Sequence, residues 1–158
     1  MTRSAGIVIA STRAATGGYP DASAPIITDW LQAQGFKVLP PQVVADGEDV
    51  HQALQYLLAR HPSVIVTSGG TGLSPDDLTP EMTRPLLERQ IPGIMEAIRA
   101  AGQGATPTAV LTRGYAGVNG RTFIVNLPGS KGGIKDGLGV LEPILGHLCD
   151  QLEGSHEH

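Results

Sequence analysis

The chain carries one cysteine, Cys149, so no internal disulfide can close and no thiolate set exists for zinc or an iron–sulfur cluster. A reducing compartment is the matching expectation. Aromatic residues make up only 4% of the 158, which leaves the core to aliphatic side chains. No apolar window reaches the 18 residues or so that a membrane-spanning helix needs, and Ile7-Val8-Ile9-Ala10 is too short for the hydrophobic stretch of a signal peptide. These absences point to a cytoplasmic protein with no membrane partner. Basic charge is also short. With 11 Lys and Arg against 15 Asp and Glu, the net charge is −4, which removes the footprint expected of a nucleic-acid-binding domain. A local site for a small phosphorylated ligand remains compatible with that balance. His51, His61 and His147 have no partner at a metal-binding spacing, and His156 and His158 fall in the terminal segment.

What is present describes a folded domain. Hydrophobic residues at 41% and charged residues at 16% exclude a disordered chain, and the length suffices for one domain with its own core. No repeat or linker divides it, so residues 1–153 are expected to form one unit and 154–158 a tail.

Local signals alternate between strand and helix. Ile7–Ala10 reads as a short buried strand, followed by a polar, Gly-rich loop over 11–21. Ser23 as N-cap, with Pro25 in the first turn, starts a helix carrying Ile26, Ile27, Trp30 and Leu31, and Gly35 closes it. Phe36–Val44 is extended, and Pro40-Pro41 assigns it to a sheet edge. Asp46 occupies an N-cap position before a helix with Val50, Ala53, Leu54, Leu57 and Leu58 on one face, ended by His61-Pro62. Val64–Thr67 has the composition of a central strand. Thr79 as cap, with Pro80 at N1, predicts a helix over Pro80–Arg89, and a second follows over Pro92–Ala101. Thr106–Arg113 fits a short helix or a strand equally. Tyr115–Val118 and Thr122–Leu127 flank Asn119-Gly120, a type I′ hairpin signal. After a turn at Pro128-Gly129-Ser130, the positions Leu138, Leu141, Ile144, Leu145, Leu148 and Leu152 recur at helical spacing. The alternation predicts a three-layer α/β/α domain with a mainly parallel sheet and a small β-hairpin. Ligands of such sheets gather at the carboxyl ends of strands, beside a topological switch.

The segment VTSGGTGLSPDD, residues 66–77, sits at one such end. Its glycines expose backbone amides that can cradle phosphate, or they simply make a tight turn. No lysine follows them as a Walker A loop requires, and no G-x-G-x-x-G occupies the first strand-to-helix turn. Ser68, Thr71, Ser74, Asp76 and Asp77 cluster with the glycines, which favours a functional loop. Asp46 and Asp77 are either carboxylates at helix starts or a pair that converges on one Mg²⁺, since with phosphate that ion is held by one or two carboxylates.

In order along the chain, "TSGGTGLSPDDLTPE", "IPGIMEAIR", "PTAVLTR" and "NLPGS" resemble the MogA/MoaB family of molybdenum cofactor biosynthesis, also found as the G domain of gephyrin. The resemblance runs from Ile7 to about Leu152. It implies a molybdopterin adenylyltransferase that uses ATP and Mg²⁺, a homotrimer, and a partner for molybdate insertion. The family's two functional aspartates fall on Asp46 and Asp77, with Glu48 and Asp49 offering neighbouring carboxylates. Its nucleotide and pterin-phosphate site falls on Ser11, on Ser68-Gly69-Gly70-Thr71-Gly72 and on Pro128-Gly129-Ser130. Arg113 or Lys131 would offset phosphate charge, Lys131 being equally a solvated helix-start residue. Glu96 stands where the family motif has an acid, on a helix where a solvated face serves as well. Apolar residues in the 114–127 hairpin and the final helix exceed what one small core needs, in keeping with the trimer. A non-catalytic molybdopterin-binding or scaffold module of the same family is the alternative. A generic nucleotide-binding regulatory domain would leave "NLPGS" unexplained.

Overall fold

A computed structural model describes residues 2–17 and 21–154. Part of the loop expected over 11–21, namely 18–20, and the tail positions 155–158 with His156 and His158, lie outside the described residues.

The strands are β1 (Ser4–Ala10), β2 (Lys37–Val38), β3 (Gln42–Val44), β4 (Val64–Ser68), β5 (Arg89–Gln90), β6 (Ala116–Asn119) and β7 (Thr122–Leu127). They form one sheet in the order β2-β1-β4-β7-β6-β5, with β3 beside β2 on the same flank of β1. β1, β2, β3, β4 and β7 run parallel, whereas β6 is antiparallel to β7 and β5 to β6. The register aligns Ile7 with Val66 and Val66 with Val125, so three apolar runs lie side by side at the centre. These strands are continuous apolar runs because both of their faces are covered.

The helices are α1 (Thr12–Ala15), α2 (Ser23–Ala33), α3 (Glu48–Leu58), α4 (Thr79–Thr83), α5 (Pro92–Gln103), α6 (Lys131–Leu141) and α7 (Leu145–Leu152). On one face Ile7, Ile9, Val66, Phe123 and Val125 pack against Ile27 and Leu31 of α2, Ile98 of α5 and Leu138 of α6. On the other, Val8, Ile65 and Ile124 meet Val50, Leu54 and Leu57 of α3. Burying such side chains stabilises each by about 1.5–3 kcal/mol. The arrangement is the expected three-layer α/β/α with a mainly parallel sheet. No helix among the described residues is long and apolar enough to cross a membrane.

Several local expectations are corrected. Ser23 is not the cap of α2; its amide and that of Ala24 donate to the Asp21 carboxylate at 2.9 and 3.1 Å. Asp46 does not cap α3, because Gly47 stands at that position and Asp46 is turned elsewhere. The helix expected over Pro80–Arg89 is only α4, followed by a 3₁₀ turn over Arg84–Leu86 and then β5. Pro85 lacks the amide donor that would continue the α-helical ladder; Arg84 before it keeps helical geometry, so the chain tightens into the 3₁₀ turn and becomes extended only at Leu87. The segment that fitted either helix or strand is a 3₁₀ helix, Pro107–Leu111.

The hairpin has its register one residue on from the expected one. Asn119 pairs with Thr122, so Gly120 and Arg121 make the turn. Only Gly120 has positive φ, at 58°, the pattern of a type II′ rather than a type I′ turn. Asn119 instead donates its side-chain amide to Leu86 O at 2.7 Å, and Gly120 N donates to Glu88 Oε1 at 2.6 Å. The final helix is two helices, α6 and α7, separated around Pro143. The apolar residues of the hairpin and of these helices are buried in the chain's own core, which removes them as support for a trimer.

Candidate active site

Because β1, β3, β4 and β7 are parallel, their last residues Ala10, Val44, Ser68 and Leu127 come out along one edge. From β1 the chain proceeds to β2 and β3 on one flank, and from β4 it proceeds to the β5–β7 flank. The direction reverses between β1 and β4, where ligands of such sheets bind. A crevice of about 330 Å³ opens there, lined by Ser11, Asp21, Ser68, Gly69, Gly129 and Lys131 among others.

Ser11 ends β1 and caps α1, accepting from the Ala14 amide at 3.3 Å. Ser68 is buried and donates its hydroxyl to Pro128 O at 3.0 Å, which ties the glycine loop to the Pro128-Gly129-Ser130 turn. Gly129 packs on Gly69 so closely that a Cβ there would lie 3.3 Å from the Gly69 Cα. Ser130 caps α6, accepting from the Gly133 amide at 3.0 Å, and Lys131 opens that helix. Two helix starts, those of α2 and α6, therefore border the crevice with their positive ends.

Gly69 and Gly70 both have positive φ, 93° and 68°, which turns the chain sharply off β4 and is available only at glycine without strain. The Gly69 amide is engaged, donating to Leu127 O at 3.1 Å. The amides of Gly70, Thr71 and Gly72 have no acceptor among the described residues. The first glycine of the loop therefore serves the fold, and the three positions after it keep their donors available. Thr71 is buried, its hydroxyl accepting from that of Thr112 at 2.9 Å.

Asp46 lies against Gly70, where a Cβ would collide with the Asp46 carboxylate and the Thr79 hydroxyl. Asp46 Oδ1 accepts from Gly47 N at 2.8 Å, Leu78 N at 3.2 Å and the Thr79 hydroxyl at 3.3 Å. Its own amide donates to the Thr12 hydroxyl at 3.4 Å, beside Ser11. Burial pushes the Asp46 carboxyl above its ordinary value against those hydrogen bonds, and the negative charge of Asp77 adds to the rise. Asp77 holds its carboxylate near Gly72, with Oδ2 accepting from Ser74 N at 3.0 Å. Glu48 and Asp49 stand exposed in the first turn of α3, so of the three neighbouring acids Asp46 is the one joined to the glycine loop. Asp76 is exposed.

Two further candidates line a second groove. Glu96, exposed on α5, lines a separate groove of about 550 Å³ with Leu73, Arg99 and Tyr115. Arg113 borders that groove, but its guanidinium is bound by Gly72 O, Asp77 O and the Glu81 carboxylate. Their ion pair holds Glu81 below the usual carboxylate range. Asn126 of the "NLPGS" segment is wholly buried and structural, donating to the Thr67 and Thr83 hydroxyls and accepting from Tyr115 N. Cys149 is buried, which pushes its thiol up to about 11 and leaves it inert as a nucleophile.

Asp21 and Thr79 were missed as site residues. Asp21 had a weak signal, two residues ahead of a helix start. Thr79 had the signal of a helix cap; Leu78 stands at that position instead, Thr79 is the first residue of α4, and its hydroxyl turns to Asp46.

Among the described residues, no three His, Cys, Asp or Glu side chains gather as a complete metal cage. Mg²⁺ bound together with phosphate does not need one. Asp46 Oδ2 and Asp77 Oδ1 have no donor among the described residues, and they are hard oxygens on two carboxylates, the charge of one raising the carboxyl of the other. That donor set fits Mg²⁺.

A family model described as a probable molybdopterin binding domain matches residues 6–147. The molybdopterin adenylyltransferase of Helicobacter pylori (strain J99) is 32% identical over 155 residues, covering 96% of this chain and 88% of that protein. The molybdenum cofactor biosynthesis bifunctional protein of Synechococcus elongatus is 36% identical over 150 residues, 94% of this chain but 47% of the relative, so the chain spans about half the length of that protein. The solved Mog protein of Mycobacterium ulcerans, a molybdopterin biosynthesis protein, is 51% identical and superposes with a TM-score of 0.94 over 98% of this chain and 99% of its own. Sequence and fold agree over nearly the whole length, and the chain belongs to the MogA/MoaB family of molybdenum cofactor biosynthesis.

Proposed function

We propose that the chain is a molybdopterin adenylyltransferase, transferring AMP from ATP to the terminal phosphate of molybdopterin with release of pyrophosphate. The observation that carries this reading is the Asp46–Gly70 contact at the β1/β4 switch, which sets a half-buried carboxylate beside three amides without acceptors. The relatives named for this activity support it.

In this reading an oxygen of the molybdopterin phosphate attacks the α-phosphorus of ATP in line. One P–O bond forms, the α–β anhydride bond breaks, and its electron pair leaves with pyrophosphate. The protein contributes positioning and compensation of charge. The amides of Gly70, Thr71 and Gly72 receive phosphate oxygens, and the start of α6 with Lys131 borders the crevice that adjoins them at Gly69. Ser11, Ser68, Gly69 and Gly129 line that crevice, and Pro128 and Ser130 support it by holding Ser68 and capping α6. Asp46 and Asp77 would hold Mg²⁺, which when bound neutralises charge on the phosphate oxygens. Thr79, Leu78 N and Gly47 N fix one oxygen of Asp46 and leave the other free to face the ion. Glu96 stays a candidate for the substrate's far end, in the neighbouring groove.

The same reading includes a cytoplasmic protein and a homotrimer. Leu73, Val110 and Leu111, 67, 53 and 49% exposed, border one groove, and apolar side chains in that position favour association with further copies. Light scattering is expected to give three chain masses, and a monomer at micromolar concentration removes the trimer while leaving the chemistry. The activity is tested by incubating the purified protein with molybdopterin and Mg-ATP and measuring pyrophosphate. Release that depends on molybdopterin is expected. Tight molybdopterin binding without release replaces the enzyme with the scaffold module, and neither binding nor release sinks both.

A further inference from the structure

We infer that Arg113, with Thr112, is a clamp that fixes the conformation of the 72–77 loop and so positions Asp77, rather than a charge that meets the substrate. This rests on the proposed transfer reaction for its functional consequence and on geometry alone for the clamp. The Arg113 Nε donates to Gly72 O at 2.8 Å and Nη2 donates to Asp77 O at 2.8 Å, so one planar fork joins the two ends of the loop. Glu81 of α4 holds the fork from behind, accepting at 2.8 Å from Nη1 and 3.1 Å from Nη2. The backbone fastens the same place, with Arg113 N donating to Thr71 O at 2.9 Å and the Thr112 hydroxyl to that of Thr71 at 2.9 Å. Arg99 in turn donates to Thr112 O at 2.9 Å, anchoring the strap to α5.

Inside the loop there is little else. Leu73, Ser74, Pro75 and Asp76 are exposed, and the internal bonds are the short turn from Asp77 N to Ser74 O and from Ser74 N to Asp77 Oδ2. That turn closes locally and does not set where the loop sits. At its ends Leu78 N donates to Asp46 Oδ1 and Thr79 N to Gly70 O, both at 3.2 Å, and the contacts to Arg113 add the tie of Asp77 to Gly72 and of both to the Glu81 side chain of α4. A guanidinium suits this role because its donors lie in one plane at fixed angles, whereas an ammonium is a point charge that cannot span both carbonyls.

The test separates geometry from charge with Arg113→Lys, Arg113→Met and Glu81→Gln. Amide hydrogen exchange is followed at Ser74, Asp77 and Leu78 without substrate, beside melting temperature and the kcat and KM of transfer. The clamp predicts that Lys fails as Met does. In both, exchange at those amides rises at least tenfold while the sheet amides stay within twofold, and kcat falls by roughly 10² with KM for ATP little changed. Glu81→Gln, which keeps an acceptor for the fork, is expected to show a smaller change of the same kind. A Lys variant with wild-type exchange and kcat overturns the clamp in favour of charge compensation. A rise in exchange across the whole chain overturns a local role. If Arg113→Met does not fold, the Lys variant carries the decision. If the wild-type protein transfers no adenylyl group, the proposed function fails, and the exchange measurement still decides the clamp.

Discussion

At the amino end of the parallel strands a groove of about 830 Å³ passes Arg3, His61 and His147, larger than the crevice of about 330 Å³ at the carboxyl end. The smaller cavity is the one proposed for the transfer reaction. In the larger one, the Arg3 guanidinium is engaged by Asp150 and by Glu153 at 2.9 Å, so its charge is neutralised within the chain. Gln34 and Gly35, which follow the last turn of α2, also face that groove and bring a helix's negative end with them. The start of α7, Leu145 to His147, borders it too, but beside the Glu142 and Glu153 carboxylates. The carboxyl end differs in its loop. It has helix starts, amides without acceptors in a loop bent by two glycines, and a carboxylate whose hydrogen bonds work against its burial. Volume alone is therefore a poor guide here, and the amides left without acceptors by the glycine loop distinguish the two ends more than the presence of a helix start does.

The largest effect that would sharpen this contrast is expected at Asp77. Asp77→Asn keeps the shape and the acceptor for Ser74 N but loses the charge, and should slow adenylyl transfer by roughly 10²- to 10³-fold, about 3–4 kcal/mol, with molybdopterin binding largely retained. Turnover near that of wild type, with a melting temperature lowered by a degree or two, would reduce Asp77 to a turn residue.

Asp46→Asn tests the strain at the same end. The folded state raises the Asp46 carboxyl, so the fold favours its protonated form, and stability is lost as pH rises from the unfolded value through the folded one. Asparagine keeps an acceptor for Gly47 N, Leu78 N and the Thr79 hydroxyl and carries no charge. At neutral pH its melting temperature is expected to equal or exceed that of wild type, while transfer falls by about 10²-fold. A clear loss of stability would mean that the charge supports the fold, and the reading of Asp46 as a functional carboxylate would weaken accordingly.

The smallest effect belongs to the amino end. Arg3→Met should cost under about 1 kcal/mol, because the pair is largely solvated, and should leave the transfer rate unchanged. Arg3 holds Glu153 below its ordinary value, so this stability is present above the unfolded carboxyl range and disappears as pH falls through the folded value. The difference between variant and wild type in thermal melts should therefore be present at pH 7 and shrink as pH is lowered below the ordinary carboxylate range. A fall in transfer rate in Arg3→Met would break the contrast between the two ends.

Much of the fold was legible because its signals are local. Val64–Thr67 and Thr122–Leu127 are apolar runs bounded by polar or turn residues, and such runs become central strands when helices cover both faces. Pro40-Pro41 marked the edge correctly, splitting the extended segment into β2 and β3, both paired only with β1. Where proline was underweighted the expectation failed: Pro85 ends α4 early, and Pro143 parts α6 from α7. The hairpin turn failed differently. Asn119-Gly120 has a strong intrinsic preference, and tertiary hydrogen bonds from Asn119 to Leu86 O and from Gly120 to Glu88 outweighed it and moved the turn by one residue.

The sequence by itself determined an aliphatic α/β domain with a glycine loop leaving a central strand, because periodicity, breakers and β-branched runs act over a few residues. It also carried the spaced segments by which the family is known. Tertiary structure alone decided that Asp46 rather than Glu48 or Asp49 meets the loop, that Thr79 orients it, and that Arg113 binds Gly72 O and Asp77 O. It also decided that valine at Gly70 would evict Asp46 as well as blocking an amide. These partners lie tens of residues apart, and no local preference encodes them. They meet because parallel pairing of β1, β3, β4 and β7 brings the ends of those strands to one edge, and the register of that pairing is settled by the packing of the whole core.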